Sequence, residues 1–362
     1  MTASLRDVAA RAGVSVRTVS NVAAGSDLVA AATRERVQRV IDELGYRPNA
    51  AARHLRGGRS GLIGLVLPEL SSPYFAELAD HVVRAAADRG RMVLVQQTDG
   101  EAEQERRLLT GVRGQSVDGV LMSPWGLSPA DLRAEPGSSP VVLLGEQDAE
   151  GLLDHVTVDG EAAAREATQH LLAAGRTSIV AVGDQPHLGN GTAERRAAGY
   201  RAAMTAAGLE PRTVAVRRLH RSDGADAVRA LLERPQRPDA VFCFSDQLAL
   251  GALRAAMTAG LRVPDDLAVV GFDDVEDGRY ATPALTTVAP DKAAIAEAAL
   301  ELLTSRIESP ERPPQRVLAP YLLRVRESSA AATPPDSQPT SRPGTRKPRK
   351  VTSRRGTNPS RA

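Results

Sequence analysis

The sequence predicts a small all-α headpiece followed by an α/β core of two subdomains with parallel sheets. Three observations carry this. Residues 4–21 read as two short helices around a glycine turn, with a third amphipathic helix soon after. From residue 60, short continuous apolar runs alternate with amphipathic helical patterns, and the alternation occurs twice over, as parallel sheets covered on both faces require. With 362 residues and 42% apolar content, the chain has the length for two or three domains.

In the headpiece, Ser4 is placed to cap the first helix, and Asp7 to close a capping box. Leu5, Val8, Ala9 and Ala12 recur at helical spacing and can share a core. Gly13 permits the turn, and Ser15 is placed to cap the second helix. That helix sends Val19 inward and leaves Val16, Arg17, Ser20 and Asn21 elsewhere. Such a unit can set the start of its second helix in a DNA major groove, although an ordinary helical hairpin has the same pattern. The third helix, from about 31–33, carries Val37, Val40, Ile41 and Leu44 on one stripe, and Gly45 stops it.

Residues 49–56 could form about two helical turns before Gly57 and Gly58 release the chain. Two turns do not hold together alone in water. The segment is therefore either a plain linker or a hinge that folds only on DNA, with Leu55 available as a minor-groove wedge.

In the core, strands are predicted over 62–67, 92–95, 117–122 and 141–144, with helices over 74–89 and 101–113. A second series has helices over 160–174, 193–207, 223–234 and 246–259, and strands over 178–182, 213–216, 240–244 and 267–271. A strand over 285–288, a helix over 290–306 and a strand over 321–325 are left to complete sheets begun earlier. A ligand would then sit at the carboxyl ends of strands facing the cleft between subdomains.

The formal net charge of +2 is unevenly spread. Residues 1–60 carry +5 and residues 328–362 carry +7, which leaves −10 between them. Basic ends on an acidic body fit a chain whose ends meet a polyanion. The Ser-, Thr-, Pro- and Arg-rich tail reads as disordered, serving either nonspecific DNA attraction or plain solubility. Cys243, the single cysteine, lies in an apolar run and reads as a buried thiol. No signal-peptide core or bilayer-length apolar run is present, so the expected location is cytoplasmic. The six histidines show no metal-ligand spacing, and the common zinc, nucleophile-elbow, P-loop and dinucleotide motifs are absent. Catalytic residues, metals and cofactors are accordingly not expected.

Several features suit ligand binding instead. Ser71, Ser72, Tyr74 and Phe75 lie where a strand meets a helix, and offer hydroxyls and aromatic surface; their plain role is to pack that helix. Trp125 follows a strand, to stack on ligand or to cover the sheet. Arg196 and Asp273, set across a cleft, could grip an effector with charge-assisted hydrogen bonds. Ser245 and Asp246 open a helix, as a cap or as polar contacts.

Together the stretches Asp7-Val8-Ala9, Ala12-Gly13-Val14-Ser15, Thr18-Val19-Ser20, Leu44-Gly45-Tyr46-Arg47-Pro48-Asn49, Gly271-Phe272-Asp273-Asp274 and Leu285-Thr286-Thr287-Val288 resemble the lactose-repressor and galactose-repressor family of bacterial transcription regulators. The resemblance covers residues 3 to about 326. It implies a helix-turn-helix headpiece over 1–47 and a hinge helix and linker over 48–59. A core of two periplasmic-binding-protein-like subdomains would span 60–326, and a basic tail 327–362. It assigns major-groove reading to Val16, Arg17 and Asn21, with Thr18 and Ser20 near phosphates. In the hinge it gives base contacts to Ala52 and Arg53 and the wedge to Leu55. Effector positions fall on Tyr74 or Phe75, Arg196, Ser245 and Asp273.

The implied function is a nucleoid-associated repressor controlled by a sugar-like effector, with release as the default response and corepression the alternative. A sugar sensor acting through protein contacts is the other reading. Four departures bear on this. Asn21 stands where Arg is common, Ala24 replaces a frequent Asn, and Ala30 replaces a frequent Ser. Gly145 stands where many members place a ligand-binding Asp. Without a terminal leucine heptad, a homodimer on a palindromic operator is expected.

Overall fold

The computed structural model describes residues 3–23, 28–46, 59–111, 117–134, 140–147, 151–188 and 191–330. Ala24, the hinge positions Ala52, Arg53 and Leu55, and the tail beyond residue 330 lie outside these residues. Ser328 and Ser329, placed in the tail by the sequence reading, are instead buried, with Ser328 Oγ donating to Val269 O, and so belong to the core.

The headpiece holds α1 (Leu5–Ala12), α2 (Val16–Ala23) and α3 (Ala31–Glu43). Ser4 and Asp7 form the capping box, with the Asp7 amide donating to Ser4 Oγ at 3.3 Å and the Ser4 amide to Asp7 Oδ2 at 2.8 Å. Gly13 ends α1 at φ +64°, a conformation that costs a glycine little. The Ser15 hydroxyl accepts the Thr18 amide at 3.1 Å and so caps α2. Ala30 caps α3 with backbone geometry alone, since it has no side-chain acceptor. Val8, Val19 and Val37 are fully buried where the helices meet, and Tyr46 closes the cluster.

The body contains two six-stranded sheets. The first is formed by β1 (Leu62–Leu67), β2 (Met92–Gln97), β3 (Gly119–Met122), β4 (Val141–Leu144), β5 (Asp154–Thr157) and β11 (Arg316–Leu318), in the order β11-β5-β4-β3-β1-β2 and parallel throughout. The second is formed by β6 (Ile179–Asp184), β7 (Arg212–Ala215), β8 (Ala240–Cys243), β9 (Ala268–Phe272), β10 (Thr286–Pro290) and β12 (Tyr321–Arg324). Its order is β12-β10-β9-β8-β6-β7, with only β12 antiparallel.

Helices α4 (Pro73–Asp88), α5 (Ala102–Gly111) and α6 (Pro129–Ala134) belong to the first subdomain. Helices α7 (Gly160–Ala173), α8 (Gly191–Ala206), α9 (Arg221–Leu232), α10 (Asp246–Thr258) and α11 (Glu276–Arg279) belong to the second. Helix α12 (Lys292–Glu308) returns to pack on α4 and on β3, β4 and β5. The chain therefore crosses between subdomains three times, from β5 to α7, from β10 to α12, and from β11 to β12. Both sheets begin in one half of the chain and are finished by its last third, as the unassigned segments at 285–325 required.

Two strands, β5 and β11, escaped the sequence reading. Strand β5 is fully buried yet begins with Asp154 and His155, so it shows no apolar run. Asp154 is held there by Arg306 Nε at 2.9 Å, Arg312 Nη2 at 2.7 Å and the Gln315 amide at 2.9 Å. Paired in this way, a charged residue can sit in a buried strand. Strand β11 has only three residues. Cys243 lies fully buried in β8, where burial pushes its thiol well above the ordinary range and leaves it inert. Among the described residues no helix is long and apolar enough to cross a membrane.

Candidate functional site

Two surfaces collect the predicted residues. On α2, Arg17 is exposed, while Thr18, Ser20 and Asn21 are half-buried beside the turn that orients the helix. Val16 packs partly against the headpiece core, so only part of its side chain is open to a base edge. The Thr18 hydroxyl lies 2.9 Å from Ser15 Oγ.

The second surface is a cavity of about 230 Å³ between the two sheets. Strands β1, β3, β4, β5, β8, β9 and β10 all point their carboxyl ends at it, the position at which parallel sheets bind ligands. Tyr74, Phe75, Trp125, Arg196, Ser245 and Asp273 all line it.

The wall from the first subdomain is aromatic. Tyr74 and Phe75 lie in the first turn of α4, with ring centres 5.2 Å apart, and Phe75 meets Trp125 edge to face at 5.6 Å. Trp125 thus both packs on Phe75 and faces the cavity. Burial and the nearby Asp273 push the Tyr74 hydroxyl far above its ordinary range, so it stays a neutral donor.

Glu105 on α5, fully buried, holds the Trp125 loop. Its carboxylate accepts the amides of Trp125 and Gly126 at 2.9 Å and of Leu127 at 3.0 Å. Burial raises its pKa, and these amides oppose the rise. Sequence reasoning missed Glu105, because its partners lie about twenty residues away.

The wall from the second subdomain is polar. Asp273 follows β9 in the left-handed region at φ +124°, and Asp274 follows at +49°. Asp246, buried beneath them, accepts the Thr287 hydroxyl at 2.6 Å and the Val275 amide at 2.9 Å, fixing the loop from below. Burial pushes Asp273 above the usual carboxylate range; Arg196 at 3.9 Å works against this, and the Asp246 charge adds to it. Ser245 Oγ accepts the Leu248 amide at 3.2 Å as the α10 cap and donates to Leu219 O at 3.3 Å. One lone pair remains for a ligand.

One expectation is corrected. Arg196 and Asp273 do not face each other across the cleft, because α8 and the end of β9 belong to the same subdomain. The group across from Arg196 is Glu146, just beyond β4. Arg196 Nη2 lies 2.7 Å and Nε 3.0 Å from Glu146 Oε1, and the guanidinium also donates to Phe244 O. It stacks 3.5 Å above the Phe272 ring. A charged residue one position beyond the glycine that ends an apolar strand was the available signal for Glu146.

Further bridges span the cleft. His220 Nε2 lies 3.0 Å from Glu69 Oε2, and Gln147 Oε1 accepts the Gly191 amide at 2.7 Å. Lys292, buried at the positive end of α12, is an unfavourable cation at that site unless oxygen ligands surround it. Its ammonium donates to Asp273 O at 2.6 Å and Asp274 O at 3.2 Å, and pairs with Glu77 of α4 at 2.8 Å. Among the described residues no cluster of His, Cys, Asp or Glu could hold a metal.

Comparison with known proteins agrees with both surfaces. Residues 4–49 match the bacterial regulatory proteins of the lacI family, and residues 168–329 match a periplasmic binding protein-like domain. The ribose operon repressor of Escherichia coli K12 is 34% identical over 326 residues, covering 89% of this chain and 98% of its own. The lac repressor dimer bound to operator and the anti-inducer ONPF superimposes with a TM-score of 0.82 at 27% identity, covering 91% of this chain and all of the other. The transcriptional regulator CelR in complex with cellobiose has a TM-score of 0.67 at 33% identity, covering 90% and 99%. These relatives favour DNA-directed regulation over a sensor acting through protein contacts.

Proposed function

The chain belongs to the lacI family of bacterial regulatory proteins, and on that premise we propose how its parts divide the work of a DNA-binding transcriptional repressor. The protein is a regulator under small-molecule control and not an enzyme. Helix α2 reads the major groove through Arg17 and Asn21 and the exposed part of Val16, with Thr18 and Ser20 at phosphates. The hinge segment contributes Ala52 and Arg53 to the minor groove, with Leu55 as the wedge. The effector lies between the aromatic and polar walls, against Tyr74, Phe75, Trp125, Arg196, Ser245 and Asp273.

One observation carries this reading. The cavity lies between the two sheets and is lined by Thr157 and Val158 at the first crossover and Pro290 at the second, where a change in subdomain pose is transmitted to the whole body. A sugar-like effector suits the site, since flat aromatic faces take C–H surfaces and the opposite wall takes hydroxyls. Effector binding would release the operator.

A homodimer is supported by exposed apolar residues on the edge strand β2, where Met92 is 63%, Leu94 50% and Val95 41% exposed, with Val83 of α4 alongside. Two-fold pairing matches a palindromic operator, and the working place of such a dimer is the nucleoid. The test is a footprint of the full-length protein on palindromic sites near its own gene, with and without sugars. Protection relieved by a sugar is expected; no protection under any condition contradicts the reading. Leu55→Ala should weaken operator binding by at least fivefold without altering effector affinity, and equal operator affinity would remove the wedge.

A further inference from the structure

The basic side chains lining the cavity already face carboxylates. Its described basic residues are Arg196 and His220, and each faces a carboxylate from the opposite subdomain, Glu146 and Glu69 respectively. Arg196 is the decisive one, because a guanidinium at the floor of a cleft is the natural receptor for a phosphate or carboxylate. Here two of its nitrogens are taken by Glu146 Oε1, a third donates to Phe244 O, and its plane is covered by Phe272.

Glu146 has little room to move off. Gly145, at φ +94°, turns the chain so that Glu146 enters the cleft floor. There the carboxylate is buried against Gly160, so closely that a Cβ on that glycine would come within 2.3 Å of Oε2. Displacing Glu146 from Arg196 would strand a buried carboxylate without a partner, the costly way to break a buried ion pair. Asp273 stands beside the same guanidinium at 3.9 Å, so a ligand anion would meet a second acidic group.

We propose that Glu146 is the specificity determinant of this cleft, admitting an uncharged polyhydroxylated effector and excluding phosphorylated or carboxylated counterparts by occupying Arg196 in advance. The inference rests on the effector reading above and narrows it to one chemical class. Hydroxyl groups can be accepted by Asp273 and Ser245 while the Glu146–Arg196 pair stays intact. An anion has no such option.

The chain's single tryptophan, Trp125, lies in the cavity wall and reports occupancy by its own emission. Full-length protein would be titrated with inorganic phosphate, and with the pairs ribose and ribose 5-phosphate, glucose and glucose 6-phosphate, and cellobiose and cellobionate. In the parent protein phosphate should give no saturable response, and the neutral member of a responding pair should bind at least tenfold more tightly. Glu146→Gln removes the counter-charge and should gain a saturable phosphate response, narrowing the preference at least tenfold. Glu146→Asp keeps the charge and should retain the exclusion.

Saturable binding of phosphate or a sugar phosphate to the parent, competitive with the neutral sugar, would overturn the inference and leave the effector reading standing. Should Glu146→Gln fail to fold, the parent titrations decide alone. Absence of any response to either class, in Trp125 emission and in operator binding, would remove the effector reading and this inference with it.

Discussion

The first sheet is parallel throughout and meets the cleft through Tyr74, Phe75 and Trp125, whereas the second, edged by antiparallel β12, meets it through Arg196, Ser245 and Asp273. The walls are also held differently. Trp125 rides on a loop hung from one buried carboxylate, Glu105, while Asp273 sits between Asp246 beneath and Lys292 beside it. The aromatic area comes from one wall and the Arg196, Ser245 and Asp273 bonds from the other, so a ligand is fully bound only when both close on it. That division is what lets occupancy set the relative pose of the subdomains, because neither wall alone satisfies the ligand.

The largest effect should come from the polar wall. Asp273→Ala should cost about 2–5 kcal/mol of effector affinity, the range for truncating one partner of a buried hydrogen-bonded pair. Operator affinity without effector should be unchanged. An effector dose curve on operator anisotropy measures both, and an unmoved curve would take Asp273 out of the site.

The aromatic wall is tested through its support. Glu105→Gln turns an amide nitrogen toward amides that need an acceptor, which should cost about 1–3 kcal/mol in urea unfolding. It should also shift Trp125 emission before any ligand is added. Stability and emission both equal to the parent would mean the loop does not depend on Glu105.

A smaller effect should follow from the link between walls. Lys292→Met removes the ammonium that joins the Asp273–Asp274 backbone to Glu77 on the other subdomain. The coupling between effector and operator should fall by about 0.5–2 kcal/mol, read as the ratio of operator affinities with and without saturating effector. An unaltered ratio would show that the walls communicate by another route.

The headpiece was legible in detail because its signals are local, with cap, turn and core stripe all within a few residues of one another. The capping box of Ser4 and Asp7 and the turn at Gly13 occur as read. In the body, continuous apolar runs marked most strands, but not β5, whose Asp154 depends on arginines about 150 residues away. The cleft residues were legible as positions at strand ends and in the helices that follow them. Their pairing was not, since Arg196 and Asp273 turn out to share a wall and Glu146 answers from the other. Which wall a side chain belongs to depends on three crossovers, and no local pattern encodes them.

The most direct test is the operator affinity of the full-length dimer measured with and without a neutral sugar that saturates the Trp125 signal. The account predicts a change of about 5- to 150-fold, the usual span of allosteric coupling, abolished in Asp273→Ala at the same sugar concentration. Equal operator affinity with the cleft empty and demonstrably filled would contradict it.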